Sequence, residues 1–296
     1  MGTLCDVEPC LEEAHVALVA LYLRGAPRPF TPSPRLWPQV VSAIRESGVP
    51  GQIPSALRAK GLGREAWLVE EPSLWTWAAS AASSSLSVMS QGYPARWRDV
   101  LGAAAPPVVW ARGARSSGGG RLIGVVGSRD VGPRVARFAH EAAREAVRLG
   151  FGVVSGGAEG CDAAAAQGAV GAGGSVVTVL PCGLSCRREA GLGLELSVCA
   201  PDEPFSTAAA MERNALIYAA SGATVVAQAR LRTGGTWHGA TDALRRRLTR
   251  LLVRVDATSV AHRALIGLGG VPLSTPCDLG DAVTAAAPQS ALFALG

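Results

Sequence analysis

Three short loops concentrate the residues able to do chemistry. Gly127-Ser128-Arg129, Ser155-Gly156-Gly157 and Gly234-Gly235-Thr236 each follow an apolar run and precede a helical stretch. Glycine lets the backbone approach a ligand closely and take positive φ. A helix start offers unbonded N–H groups and the positive end of a dipole, so such loops bind phosphate. Arg129 adds a planar fork that can grip a phosphate through two hydrogen bonds. One glycine loop in a strand-to-helix turn is commonly structural; several converging on one edge, with an arginine among them, predict a phosphate-binding site.

Other chemistries find less support. Gly124-Val125-Val126-Gly127 does not give GxGxxG at a strand-to-helix turn, and there is no GxxxxGK[ST] P-loop. Ser128 and Ser155 lie on glycine loops without a GxSxG elbow. Of the histidines, His15 and His140 fall within helical stretches and read as structural or surface residues, while His238 follows the third loop and could face the site. Asp162 stands at a helix start, where an N-cap role is expected. The seven cysteines include no CxxC, and no Cys/His spacing suits zinc, so neither a metal nor another cofactor is expected. The expectation is a binding protein rather than an enzyme.

The elements that must position these loops alternate regularly. Apolar runs at 122–126, 151–154, 175–180, 223–227 and 251–255 read as strands. Helical patterns at 133–149, 162–170, 207–220, from the third loop to about 248, and at 260–268 lie between or after them. Continuously apolar strands alternating with helices predict βαβ units and a parallel sheet covered on both faces. The fold class is therefore α/β, a doubly wound Rossmann-like sheet, whose ligands sit beyond the carboxyl ends of the strands. Residues 1–90 read as a small, mostly helical accessory domain, with helices starting near Pro9, around Val40 and after Pro54 and Pro72. Residues 106–113 read as a further strand, and 116–120 as a flexible Gly/Ser link. The organisation expected is 1–90 helical, 91–275 Rossmann-like and 276–296 a tail.

Composition sets the outer bounds. The 296 residues carry 28 Lys+Arg against 23 Asp+Glu, with 48% hydrophobic and 17% charged residues, which argues against intrinsic disorder. No apolar run is long enough to cross a membrane, and MGTLCDVEPC lacks the pattern of a secretory signal, so a cytoplasmic protein with reduced thiols is expected. Lys60 is the only lysine. Between Arg230 and Arg254 seven arginines face one acid, Asp242, a local excess of six charges that exceeds the +5 of the whole chain. Arg230 and Arg232 lead directly into the third loop, an electrostatic footprint for a polyanion, while Arg245, Arg246 and Arg247 cannot all point one way.

Read in order, these loops resemble the DNA-processing protein DprA (Smf) family. Tyr93-Pro94 with Pro106-Pro107-Val108-Val109-Trp110-Ala111-Arg112-Gly113 is similar to its entry motif, and Val126-Gly127-Ser128-Arg129 to its VGSR. The run from Ser155 through Asp162 to Ala165 resembles its SGxARGIDxxAH block, and Arg213-Asn214-Ala215-Leu216-Ile217 its RNRiIa. Thr233-Gly234-Gly235-Thr236 falls at its SGSLxTA, and the stretch from Leu265 to Leu273 at its closing motif. The resemblance spans about residues 90–275. Glu159 stands where the family has arginine, Ala166 near its histidine, and the C-terminal winged-helix domain is not evident. The resemblance implies a Rossmann-like protein that binds single-stranded DNA, dimerises, and loads a RecA-type recombinase during DNA uptake and natural transformation. It adds Arg213 and Asn214 to a phosphate site made of Gly127, Ser128, Arg129, Ser155, Gly156, Gly157, Arg232, Gly234, Gly235 and Thr236. Two other readings share the site: a nucleotide-sensing module of a stress or defence system, and a nucleoside-monophosphate phosphoribohydrolase. The second lacks the acid expected after Thr236, where Trp237, His238 and Gly239 follow.

Overall fold

The computed structural model describes residues 8–47, 51–113, 121–187 and 191–284. The Gly/Ser link at 116–120, Gly48, Cys5 and the part of the tail after Thr284 lie outside the described residues. The chain divides into two compact units. One takes the described residues of 1–119, 182–190 and 196–205, the other those of 120–181, 191–195 and 206–296.

The first unit contains α1 (Glu8–Tyr22), α2 (Trp37–Ser47), α3 (Ile53–Ala59), α4 (Gly63–Glu70), α5 (Pro72–Ala82), β1 (Ser85–Ser87), α6 (Ala95–Leu101) and β2 (Val108–Arg112). Prolines stand in the first turns of α3 and α5, where a missing N–H loses no helical bond. Leu18, Leu21, Leu57, Leu68 and Leu74 are fully buried and make its core. β1 and β2 pair antiparallel, with Leu86 opposite Val109. His15 bonds Ser87 Oγ (2.8 Å) and the Ala82 carbonyl (3.2 Å), the structural role foreseen for it. Tyr93 donates to the Pro106 carbonyl (2.7 Å) and stacks edge-on with Trp97, which ties together the two ends of the Tyr-Pro segment.

The second unit is built on β3 (Leu122–Val126), α7 (Pro133–Arg148), β4 (Gly152–Ser155), α8 (Cys161–Gly171) and β5 (Val176–Leu180). It continues with α9 (Thr207–Ala220), β7 (Ala223–Val226), α10 (Gly234–Arg246), β8 (Arg250–Arg254), α11 (Val260–Gly267), β9 (Val271–Leu273) and α12 (Leu279–Thr284). A short strand, β6 (Leu194–Ser197), runs across the boundary between the units along the chain. Within the second unit the strands lie in the order β5-β4-β3-β7-β8-β9, and every pair is parallel. This is the predicted Rossmann-like winding: the chain steps outward from β3 to β5, then returns to the far side of β3 as β7.

The packing explains the sequence pattern. Ala139, Ala142, Ala143 and Ala146 form one stripe of α7, and they meet Ala165 and Ala169 of α8 in a core shared with Ile123, Val125, Val153, Val225 and Leu252. Small residues let the two helices approach closely; a Cβ on Gly168 would collide with the His140 carbonyl. α9 and α10 pack on each other, and α9 also lies on β3, β4 and β5. Pro272 is tolerated in β9 because that strand is at the end of the strand order.

Candidate functional site

β4, β3 and β7 are consecutive neighbours, so the loops that leave their carboxyl ends share one edge at the point where the winding reverses. Ligands of doubly wound sheets bind at that point. The loops interlock through their backbones. Ser128 donates its N–H to the Gln228 carbonyl (3.1 Å) and accepts from the Cys161 N–H (3.2 Å). Gly127 leaves no room for a Cβ, which would strike Cys161 Sγ. Gly160, at φ +77°, faces the carbonyls of Ser128 and Arg129 so closely that a side chain there would collide with them. Positive φ and zero side-chain volume are both required at that position.

Beneath this edge lies a buried acid. Asp162 is 5% exposed, and its Oδ2 accepts from the N–H groups of Gly156 (3.0 Å) and Ala158 (3.4 Å). Arg213, on α9 and 6% exposed, brings its guanidinium over Gly156. A Cβ on Gly156 would collide with Arg213 Nη1 and lie 2.9 Å from Asp162 Oδ2. Glycine at 156 is therefore the space in which acid and arginine meet. Burial raises the Asp162 carboxyl to about 6, against the opposing pull of Arg213, the two loop amides and Arg129. Burial, then the nearby Asp162 charge, push the Cys161 thiol up to about 12 and the Tyr218 phenol above its ordinary range. Both stay protonated.

The third loop is a tight turn. Thr233 N–H donates to the Arg230 carbonyl (3.3 Å), Thr233 Oγ1 donates to the Leu231 carbonyl (3.1 Å), and Arg232 sits at φ +54°. Since the Thr233 hydroxyl is turned into the loop, it does not cap α10, and the first-turn amides of Gly234, Gly235 and Thr236 have no acceptor among the described residues. Asn214 Nδ2 donates to the Gly235 carbonyl (3.3 Å), which fixes this helix start against α9. Arg230 pairs with Asp130 at 3.2 Å, linking the turn to the loop that carries Arg129. Arg129, Arg230 and Arg232 are all exposed, as are Gly157 and Gly235.

The predicted residues thus separate by role. Gly127, Ser128 and Gly156 belong to the frame, since the amides of Ser128 and Gly156 already have protein acceptors. Ser155 is fully buried at the end of β4, and its Oγ has no hydrogen-bond partner among the described residues. Arg129, Gly157, Arg232, Gly234, Gly235 and Thr236 lie along the accessible edge, with Arg213 and Asn214 behind it. His238 is exposed in the second turn of α10. The expectation for Asp162 needs correction. Gly160 occupies the N-cap, and the carboxylate turns back to the preceding loop instead of capping its own helix. The sequence offered only an acid in the first turn of a helix, which reads equally well as a partner of the helix dipole. His262 is a second buried group that the motifs did not reveal. Its Nδ1–H donates to the Arg254 carbonyl (2.8 Å), Nε2 accepts from Ala229 N–H (3.2 Å), and burial lowers its pKa, so a neutral ring joins the ends of β7 and β8. No group of three metal-ligating side chains occurs among the described residues.

A family model described as DNA recombination-mediator protein A matches residues 84–265. The chain belongs to that family. Among solved structures it is similar to DNA processing protein A from Streptococcus pneumoniae, with 18% identity and a TM-score of 0.66 over 95% of this chain and 98% of that one. It is also similar to DNA processing protein A from Helicobacter pylori, with 22% identity and a TM-score of 0.58 over 67% of this chain and 94% of that one. That structure is described for its single-stranded DNA binding mode. No curated protein sequence matches the chain significantly. At these identities the structural likeness speaks for the fold, and the family assignment rests on the matched model.

Proposed function

We propose that this DNA-processing family member binds single-stranded DNA along the carboxyl edge of β4, β3 and β7, without catalysing a reaction on it. The observation that carries the reading is the combination on one edge of exposed arginines with unbonded amides. Arg230 and Arg232 precede the open first turn of α10, and Arg129 lies exposed on the neighbouring loop, which Asp130 ties to Arg230. A flexible polyanion meets there both fixed N–H donors and exposed positive charge, the pairing that tracks a phosphate backbone. The Helicobacter pylori relative, described for single-stranded DNA binding, supports the same ligand. Following the family resemblance, the bound strand is passed to a RecA-type recombinase during DNA uptake and natural transformation, and the chain acts as a homodimer in the cytoplasm.

Fluorescence anisotropy with a labelled oligonucleotide of about 20 nucleotides tests the binding step. Affinity should fall steeply between about 50 and 200 mM salt. Arg129→Ala should weaken binding and lower the slope of log K against log salt by about 0.7, the value for one single-strand phosphate. Salt-independent binding, or binding untouched by Arg129→Ala, would contradict the reading. Loading is tested by whether the protein speeds RecA filament formation on DNA covered by a single-strand binding protein.

A further inference from the structure

A site for a polyanion has little reason to keep an acid beneath it, yet Asp162 lies in the floor of this one. It already fills the part an anion would play there: two amides of the β4–α8 loop, those of Gly156 and Ala158, point at its Oδ2. The positive groups that face it are Arg213 from α9 and Arg129 from the β3–α7 loop. Tyr218 from α9 and Cys161 from its own helix face it as neutral groups. At 5% exposure the carboxylate is poorly screened by water. A phosphate arriving beside Gly157 and Arg129 therefore adds a second negative charge over the same two arginines. Like charges that share a buried site do not both stay ionised at low cost, and the phosphodiester, with its far lower pKa, keeps its charge.

We propose that binding of a phosphodiester strand at this site is coupled to the uptake of one proton by Asp162. This deepens the single-stranded DNA reading and rests on it. The proton comes from solvent and goes to the carboxylate; no other bond changes. The protonated acid keeps one carbonyl oxygen to accept from the loop amides, so the loop holds its shape while the competing charge is removed. Burial has already brought the free carboxyl to about 6, so only a further modest rise is needed for it to be protonated near neutral pH in the complex. Asp162 acts here as a positioning residue, since its bonds go to the loop and not to the ligand.

The test is calorimetric titration of the full chain with an oligothymidylate at about pH 7 in buffers of different ionisation enthalpy, together with affinity measured from about pH 5.5 to 8.5. Binding should take up about half a proton or more per site, and affinity should fall about threefold or more per pH unit near pH 7, levelling off once the pH passes the carboxyl's value in the complex. In Asp162→Asn, which keeps the amide acceptor and removes the titration, both effects should vanish. His238→Gln serves as a control for the exposed histidine of α10 and should leave both in place. Zero proton uptake by the wild type, or uptake unchanged in Asp162→Asn, overturns the proposal. Zero uptake by the wild type overturns the proposal even if Asp162→Asn does not fold. Tight, salt-dependent binding with no proton uptake rejects this coupling alone, whereas absence of oligothymidylate binding at low salt rejects the DNA reading with it.

Discussion

Three buried or paired side chains near the carboxyl edge carry opposite pH signatures. The Asp162 carboxyl is raised to about 6 by burial, above its unfolded value, so the stability it brings is complete below about pH 4 and is lost as the pH rises through about 6. Asp256 is lowered to about 2, first by its bond from Thr258 and further by its pairing with Arg254 at 2.7 Å. Its contribution is present above about pH 4 and lost as the pH falls through about 2. His262, lowered by burial, withholds stability once the pH falls below the unfolded histidine value near 6.5. Comparison with Asp162→Asn isolates the first of these, because the variant retains the other two groups. Between about pH 7.5 and 5.5 the wild type should gain about 1 kcal/mol relative to the variant, as follows from a shift of about two pKa units. Urea unfolding of both proteins at the two pH values checks this, and a stability difference that does not change with pH would refute it.

Among the described residues two arginines adopt the left-handed conformation, in elements with different tasks. Arg232 (φ +54°) shapes the turn before α10, and Arg247 (φ +53°) follows the last turn of the same helix, where its N–H bonds the Ala243 and Leu244 carbonyls. Glycine is the common residue at such a helix end, and a non-glycine residue there costs roughly 1 kcal/mol. Arg232→Gly and Arg247→Gly should therefore each leave the melting temperature unchanged or raise it by a few degrees, in line with about 1 kcal/mol gained. Only Arg232→Gly should weaken binding of an oligonucleotide. Equal losses of DNA affinity in both variants would remove the turn from the interface. The same elements show what the sequence made legible. Apolar runs alternate with helical stretches regularly enough to be read, and β3 and α9 fall on the predicted residues. β1 and β6 stand outside that alternation, and β9 is three residues long and contains Pro272. The role of Asp162 depends on a loop folded back by Gly157 and Gly160, both at positive φ, and no local pattern records that fold.

At the scale of the molecule, the arginine-rich segment 230–254 divides into two places. Arg230 and Arg232 stand at the carboxyl edge, where α10 begins. Arg245 and Arg246 lie in its last turn, paired with Asp242, and Arg247 and Arg250 lead into β8 at the opposite edge of the sheet. A 13-residue helix separates the groups by roughly 20 Å, at about 1.5 Å per residue. That distance is about two and a half Debye lengths at physiological salt, so the far group contributes little to the field at the site. Arg254 is 7% exposed, holding the Ala227 carbonyl at 2.7 Å and Asp256, and adds frame instead of footprint. The far arginines have their own explanation, since cations at a helix C-terminus complement its dipole. The excess of charge that makes the segment conspicuous in sequence therefore overstates the binding face. Replacing Arg245 and Arg247 together by glutamine should leave the salt slope of oligonucleotide binding within about 0.3 of the wild type. Replacing Arg129 and Arg232 together should lower it by about 1.4, since each arginine that neutralises one phosphate of a single strand accounts for about 0.7. Anisotropy titrations across a series of salt concentrations separate the two cases. A larger change from the first pair than from the second would move the interface to the opposite edge of the sheet.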